Sequence, residues 1–224
     1  MTHPAFEYPP LLCAGDHMSL DEFLDRWHRM PGLRFAELID KTVYMPSPVS
    51  NAHMGHDSHI QLLCGYYAAR TRGVKAGTNG TWIMTASSAP QPDCSLFIRP
   101  EFGGRSTVRN NLSVGVPEFV SEICRSSRAY DLGPKLALYQ LAGVDEYLAV
   151  LDEERRLEWR VLVDGSFQFI EAVEGIYRSR VFPGFWVDET AFWNDDSEAL
   201  LRTLEQGIAS HEHADFLKTL QPIQ

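Results

Sequence analysis

An α+β domain, with a central mixed sheet and helices on both sides, is predicted by three features of the sequence. Helix signals recur at 19–30, 51–70 and 131–142, and strand-like segments fall between and after them at 74–98, 118–124 and 146–151. Glu146–Leu151 is also nearly continuously apolar, the pattern of a strand covered on both faces. The 224 residues fit one domain spanning 1–224, with a core at about 18–193 and an acidic helical tail at about 194–224.

The elements follow in order. Ser19 with Glu22 forms a capping box, Leu20, Phe23, Leu24 and Trp27 make an apolar stripe, and Pro31-Gly32 ends the helix. Arg34–Ile39 and Thr42–Met45 read as short strands joined across Asp40-Lys41. After the Pro46-Ser47-Pro48 break, a helix should run from Asn51 to Arg70, capped by Ser50 and stopped near Gly73. Trp82–Thr85 and Cys94–Ile98 are the clearest strands of the next stretch, and polar residues 99–115 read as a loop. Glu118–Cys124 is a strand. Ser126–Tyr130 leads into a helix over Asp131–Ala142, stopped by Gly143, and Arg156–Leu162 with Phe167–Ala172 read as an outer hairpin.

Composition narrows the function classes. With 44% hydrophobic and 22% charged residues the chain can bury a full core. No apolar run approaches the roughly 20 residues that span a bilayer, so no membrane partner is expected. The opening MTHPAFEYPP lacks a basic region followed by an apolar stretch, so a cytoplasmic location is expected. Cys13, Cys64, Cys94 and Cys124 form no CxxC pair and are expected to be buried thiols. A net charge of −10 argues against a protein that coats nucleic acid. Only 99–135 is net positive, through Arg99, Arg105, Arg109, Arg125, Arg128 and Lys135, and this leaves a phosphate-binding face and a solvated surface both open.

Three residues bear on chemistry. Asp93 follows Pro92 at the start of an apolar strand, Glu122 lies inside another strand, and Lys135 follows on a helix. A carboxylate among aliphatic neighbours costs several kcal/mol unless a cation or hydrogen bonds compensate it. A second carboxylate nearby raises its pKa unless a divalent metal sits between them, and two carboxylates plus waters suit Mg²⁺. Such a metal lowers the pKa of a bound water and polarises a phosphoryl oxygen, while a lysine stabilises charge on the phosphate or orients the water. Phosphodiester hydrolysis needs those roles. Blander readings exist for each residue: Asp93 as a turn residue, Glu122 turned to water at a sheet edge, Lys135 as an i,i+4 partner of Asp131, and Glu37 as solvated. Tyr139 reads as core or interface and Asp152 as a turn residue. His53, His56 and His59, at steps of three, fan across a helix rather than converge on zinc.

Glu37-Leu38-Ile39-Asp40, Pro92-Asp93, Ser121-Glu122-Ile123 and Asp131-x-x-x-Lys135-x-x-x-Tyr139 together resemble the Uma-type family of restriction-endonuclease-like proteins, within the PD-(D/E)xK nuclease superfamily. Ala142–Tyr147 and Phe182-Pro183-Gly184-Phe185 are similar to further motifs of that family, and the likeness runs from about 18 to 193. The resemblance implies a restriction-endonuclease-like core and a Mg²⁺- or Mn²⁺-dependent endonuclease acting on DNA. It makes Asp93 and Glu122 the metal ligands, Lys135 the superfamily lysine moved from strand to helix, and Glu37 an accessory acid. Cys124 stands where the unmigrated lysine would be. His53 falls near the mouth of the site by the same likeness. A homodimer is expected, since cleaving both strands of a duplex needs two active sites. The chain departs from the family at Lys41, where glycine is usual, at Arg125-Ser126-Ser127, where Ser-Pro-Ser is usual, and at Leu148, where tryptophan is usual. Arg125 so close to Glu122 could neutralise it in place of a metal. Two other readings therefore stand beside the nuclease: an inactive dimeric relative acting as a binding or scaffold protein, and a metal-dependent hydrolase of small phosphate substrates.

Overall fold

The structure, a computed structural model, describes residues 11–45, 51–125 and 127–223. The expected Pro46–Pro48 break, the Ser50 cap and Ser126 lie outside these residues.

Helix α1 (Leu20–His28) begins where the sequence predicts: the Ser19 hydroxyl accepts from the Glu22 amide at 3.2 Å, and Phe23 is fully buried. Glu22 itself pairs with Arg26 one turn on, at 2.5 Å. Strands β1 (Glu37–Ile39) and β2 (Thr42–Tyr44) pair antiparallel, while Arg34–Ala36 stay outside the ladder. Their two-residue turn, Asp40-Lys41, has φ of 45° and 66°. Positive φ at both positions defines the mirror-image turn whose twist matches a hairpin. Helix α2 (Asn51–Arg70) follows, and Gly73, at φ 91°, ends the segment in the left-handed region.

Strands β3 (Val74–Thr78), β4 (Trp82–Ile83) and β5 (Cys94–Ile98) come next. The 99–115 stretch, read as a loop, instead holds a hairpin of β6 (Thr107–Arg109) and β7 (Leu112–Val114). Its turn is Asn110-Asn111, at φ 49° and 63°. Asparagine tolerates that region better than most residues, and this local signal was outweighed by the polarity of the strands. Strand β4 is shorter than the expected Trp82–Thr85 and pairs parallel with β7, outside the main sheet.

Strand β8 (Phe119–Cys124) is buried along its whole length. The chain then runs through α3 (Arg128–Tyr130), a wide π turn over Asp131–Lys135, and α4 (Leu136–Ala142), and Gly143 at φ 85° stops it. Pro134 lies inside the π turn. Proline has no N–H and its ring crowds the carbonyl one turn back, which a wider turn relieves. Strand β9 (Glu146–Leu151) is buried on both faces, and β10 (Arg156–Val163) with β11 (Ser166–Phe169) forms the outer hairpin.

The main sheet has six strands in the order β11-β10-β9-β8-β5-β3. Only β8 and β9 within it are parallel, so the sheet is mixed as expected, and the helical segment 128–142 supplies the crossover that parallel neighbours require. Alternation along β8 divides the core. Phe119 and Ile123 face α2, with Ile60, Leu63 and Tyr67, whereas Val120 and Cys124 face Leu138 and Tyr139 of α4. Glu122 lies between the latter two and shares their face.

The tail is more than an appendage. A second unforeseen hairpin, β12 (Ile176–Arg178) and β13 (Trp186–Asp188), leads to α5 (Glu189–Trp193), α6 (Ser197–Ile208) and α7 (His211–Thr219). Leu200 and Leu204 of α6 are fully buried beside α2, so the acidic segment completes the core on that side. Cys64, Cys94 and Cys124 are buried thiols, but Cys13 is exposed, because it lies in a turn ahead of α1. No helix of the described residues is long and apolar enough to cross a membrane.

Lys41 carries a Cβ where the turn favours none. Left-handed backbone costs a residue with a Cβ about 1 kcal/mol, partly offset by the greater chain entropy of glycine. Lys41→Gly is therefore expected to raise stability by about 0.5 kcal/mol in urea melts, and a drop would contradict the turn geometry.

Candidate active site

Strands β5 and β8 are neighbours, with Cys94 opposite Ser121. One step further along the antiparallel ladder places Asp93 across from Glu122, on the same side of the sheet. The Asp93 Oδ2 atom accepts from the Ile123 amide at 2.8 Å, so this carboxylate is tied to the strand that carries Glu122.

Glu122 and Lys135 are both almost completely buried, and their side chains meet at 2.7 Å between Nζ and Oε1. The same Oε1 accepts the Tyr139 hydroxyl at 2.5 Å. Lys135 and Tyr139 are four residues apart on one helix face, and so reach the same atom. Nζ also meets Glu37 Oε1 at 3.0 Å. Glu37 in turn accepts the Gln91 amide at 2.5 Å and, on Oε2, the Tyr130 hydroxyl at 3.2 Å. Tyr130 stacks on Tyr44 of β2 at 4.1 Å and lies 5.5 Å below the ammonium. The short N-terminal hairpin thereby closes over the lysine.

The π turn determines how this cluster is presented. The Leu136 amide bonds back to the Asp131 carbonyl, which also accepts the Tyr147 hydroxyl at 3.2 Å. Asp131 itself is buried and accepts from Ser127 at 2.5 Å, so the expected Asp131–Lys135 pair gives way to Lys135 with Glu122 and Glu37.

Burial alone would drive Lys135 toward its neutral form, but Glu122, Glu37 and Asp131 outweigh it and hold the ammonium well above the ordinary lysine value. It is a fixed positive charge. Burial presses Glu122 the other way, toward protonation, with Asp93, Asp131 and Glu37 adding to that pressure and Lys135 opposing it.

Arg125 does not neutralise Glu122. Its guanidinium bonds Asp152 at 2.8 Å, and Asp152, a buried residue rather than a plain turn residue, also meets His56 Nδ1 at 2.6 Å. His59 is engaged elsewhere, with Ser197 and Asp195 at 3.1 Å each, so these two rings share no centre. The side chain of His53 lies outside the described residues. The basic stretch 99–135 is not a bare phosphate-binding face. Arg99 pairs with Glu101, Arg105 with Asp145 at 2.6 Å, and Arg128 with Glu154 at 2.9 Å. Exposed Arg109 has no carboxylate partner among the described residues.

Among the described residues no three His, Cys, Asp or Glu side chains converge as a ready metal cage. The donor set nonetheless suits one kind of ion. Asp93, Glu122, Glu37 and Asp131 bear on one another, and Lys135 is the ammonium among them, so the cluster carries excess negative charge and hard oxygen donors. A small divalent cation that keeps several waters matches two carboxylates from adjacent strands.

A central mixed sheet flanked by helices is the architecture of a restriction-endonuclease-like fold. The chain belongs to the Uma2 family, described as "Putative restriction endonuclease", whose model matches residues 20–190. A solved structure from Anabaena variabilis ATCC 29413, titled a putative nuclease belonging to DUF820, is similar in fold, with a TM-score of 0.61 and 13% identity. The match covers 80% of this chain and 98% of that one. No curated protein matches the chain.

Asp131 supplies a pH test. Burial pushes its carboxyl up to about 6, with Lys135 and Ser127 pulling against the rise. Because this exceeds the unfolded value of ~3.9, the native state holds the proton more tightly, and stability falls as pH climbs from about 4 to about 6. Across that window the wild type should lose roughly 2 kcal/mol relative to Asp131→Asn. Urea melts with chelator present, at several pH values, measure it, and parallel curves would rule it out.

Proposed function

We propose that this protein is a divalent-metal-dependent endonuclease that hydrolyses phosphodiester bonds in DNA, with Asp93, Glu122 and Lys135 at its centre and Glu37 as an accessory acid. The observation that carries the reading is the buried Lys135–Glu122 pair, set across neighbouring strands from Asp93. Nothing in a purely structural role requires an ammonium, four carboxylates and two tyrosine hydroxyls in one partly dry cluster. A buried ion pair seldom stabilises a fold better than apolar side chains of the same volume would.

Asp93 and Glu122 would hold Mg²⁺ or Mn²⁺, which supplies a water of lowered pKa and polarises the phosphoryl group. The remaining work falls to the chain's own side chains. Lys135 keeps its proton, so it serves as a charge facing the phosphate rather than as the base that activates water. An ammonium has three N–H groups. Two meet Glu122 and Glu37, and the third is the one we assign to a phosphoryl oxygen. Glu37 and Tyr130 limit the drift of that ammonium. Two copies acting together would cut both strands of a duplex.

The net charge of −10 and the pairing of most basic residues of 99–135 with acids favour a second reading, hydrolysis of small phosphate substrates. Such substrates need no extended basic track and bind with little dependence on salt. The inactive scaffold reading draws on the same charge, but it loses Arg125 as a substitute cation.

A plasmid-nicking assay with MgCl₂ or MnCl₂ separates these readings. Asp93→Asn and Glu122→Gln should each slow nicking at least ~100-fold, the equivalent of about 3 kcal/mol of transition-state stabilisation. Equal rates in wild type and both variants would remove the nuclease. Activity on p-nitrophenyl phosphate esters without nicking would move the assignment to small substrates. Lys135→Ala should also destabilise the fold by about 3–5 kcal/mol, because it leaves two carboxylates buried without a cation.

A further inference from the structure

Glu122 Oε1 carries an unusual load. A carboxylate oxygen has two lone-pair directions. Here one receives the Lys135 ammonium at 2.7 Å and the other the Tyr139 hydroxyl at 2.5 Å. Both donors come from one continuous helical segment, and Tyr139 is itself fully buried, packed at 5.4 Å against Tyr147 of β9. Its hydroxyl therefore has little room to leave.

We infer that Tyr139 is a positioning residue that fixes the ion selectivity of the site, by keeping Glu122 Oε1 occupied so that this carboxylate can offer a cation one oxygen only. The inference rests on the proposal that Asp93 and Glu122 hold a divalent ion. Its chemistry is that of coordination number. Mg²⁺ and Mn²⁺ accept six ligands, take single oxygens from carboxylates and fill the remainder with water. Ca²⁺ seeks six to eight oxygens at longer distances, and gains much of that number from carboxylates that bind through both oxygens. A glutamate with one oxygen committed to an ammonium and a phenol withholds that second contact. Lys135 alone would not enforce it, since an ammonium on a flexible stem can shift while staying paired with Glu37. The tyrosine, locked by its ring packing, cannot follow.

Calorimetric titration of the full chain with MnCl₂, MgCl₂ and CaCl₂ tests this without measuring turnover, on wild type, Tyr139→Phe and Asp93→Ala. Wild type should bind Mn²⁺ at least ~10-fold tighter than Ca²⁺, and Tyr139→Phe should narrow that ratio ~10-fold by strengthening Ca²⁺ binding while Mn²⁺ binding stays in place. A purely structural role for the hydroxyl would weaken all three ions together and leave the ratio unmoved, and that result overturns the inference. Wild type binding Ca²⁺ as tightly as Mn²⁺ overturns it as well, and needs no variant to fold. Failure of the underlying site looks different: no ion binds the wild type, or Asp93→Ala binds as the wild type does, and both proposals then fall.

Discussion

The contact between the Lys135 ammonium and the Glu122 carboxylate organises much of what surrounds it. Neither group would enter a protein interior alone, since each charge left unpaired there costs several kcal/mol. Placing Glu122 in the middle of a fully buried strand therefore demands compensation on that face of the sheet, and here an ammonium supplies it. The lysine that answers it needs its own second carboxylate, which Glu37 provides, and Glu37 needs donors, which the Gln91 amide and Tyr130 supply. The N-terminal hairpin, the crossover helix and two strands are coupled through this chain of compensation. Glu146 offers a contrast on the neighbouring strand. It is as deeply buried, but neutral donors satisfy it, among them the Ser179 hydroxyl at 2.7 Å and the Arg180 amide at 2.6 Å. One glutamate is held by neutral donors alone, and the other by a buried ammonium together with a phenol.

Much of this was legible in the sequence because local signals and core burial agreed. The Ser19 cap, the 51–70 helix, the continuous strand 146–151 and the glycine stops at 73 and 143 all emerge where residue chemistry places them. The adjacency of Asp93 and Glu122, which the chemistry required, follows from the β5–β8 pairing. What was not legible were the contributions made by long-range contact. The β6–β7 and β12–β13 hairpins have only three residues to each strand, too few for alternation to register. The tail's acidity disguised the apolar stripe of α6, which has meaning only once α2 is beside it.

The same limit applied within the site. Tyr139 read as core or interface, and it is buried, but its hydroxyl acts on Glu122. The available signal was its spacing of four from Lys135, which puts both on one helix face. Asp152 read as a turn residue because nothing local shows that Arg125 and His56 reach it from elsewhere. Arg125 was the more misleading case. Proximity in sequence to Glu122 implied neutralisation, yet residues three apart on an extended chain point to opposite faces of the sheet.

The lysine's seat on the crossover helix rather than on the strand has a wider consequence. When carboxylate and ammonium share one strand, the pleat dictates their spacing, and neither can drift without the other. Here the carboxylates are inherited from the hydrogen-bonded ladder, whereas the ammonium is inherited from how a helix with a proline-widened turn rests upon it. Two independent sources of geometry meet at one oxygen atom. The reach of the cation is thus set by the apolar residues beneath the helix, such as Leu138, independently of the backbone that presents the acids.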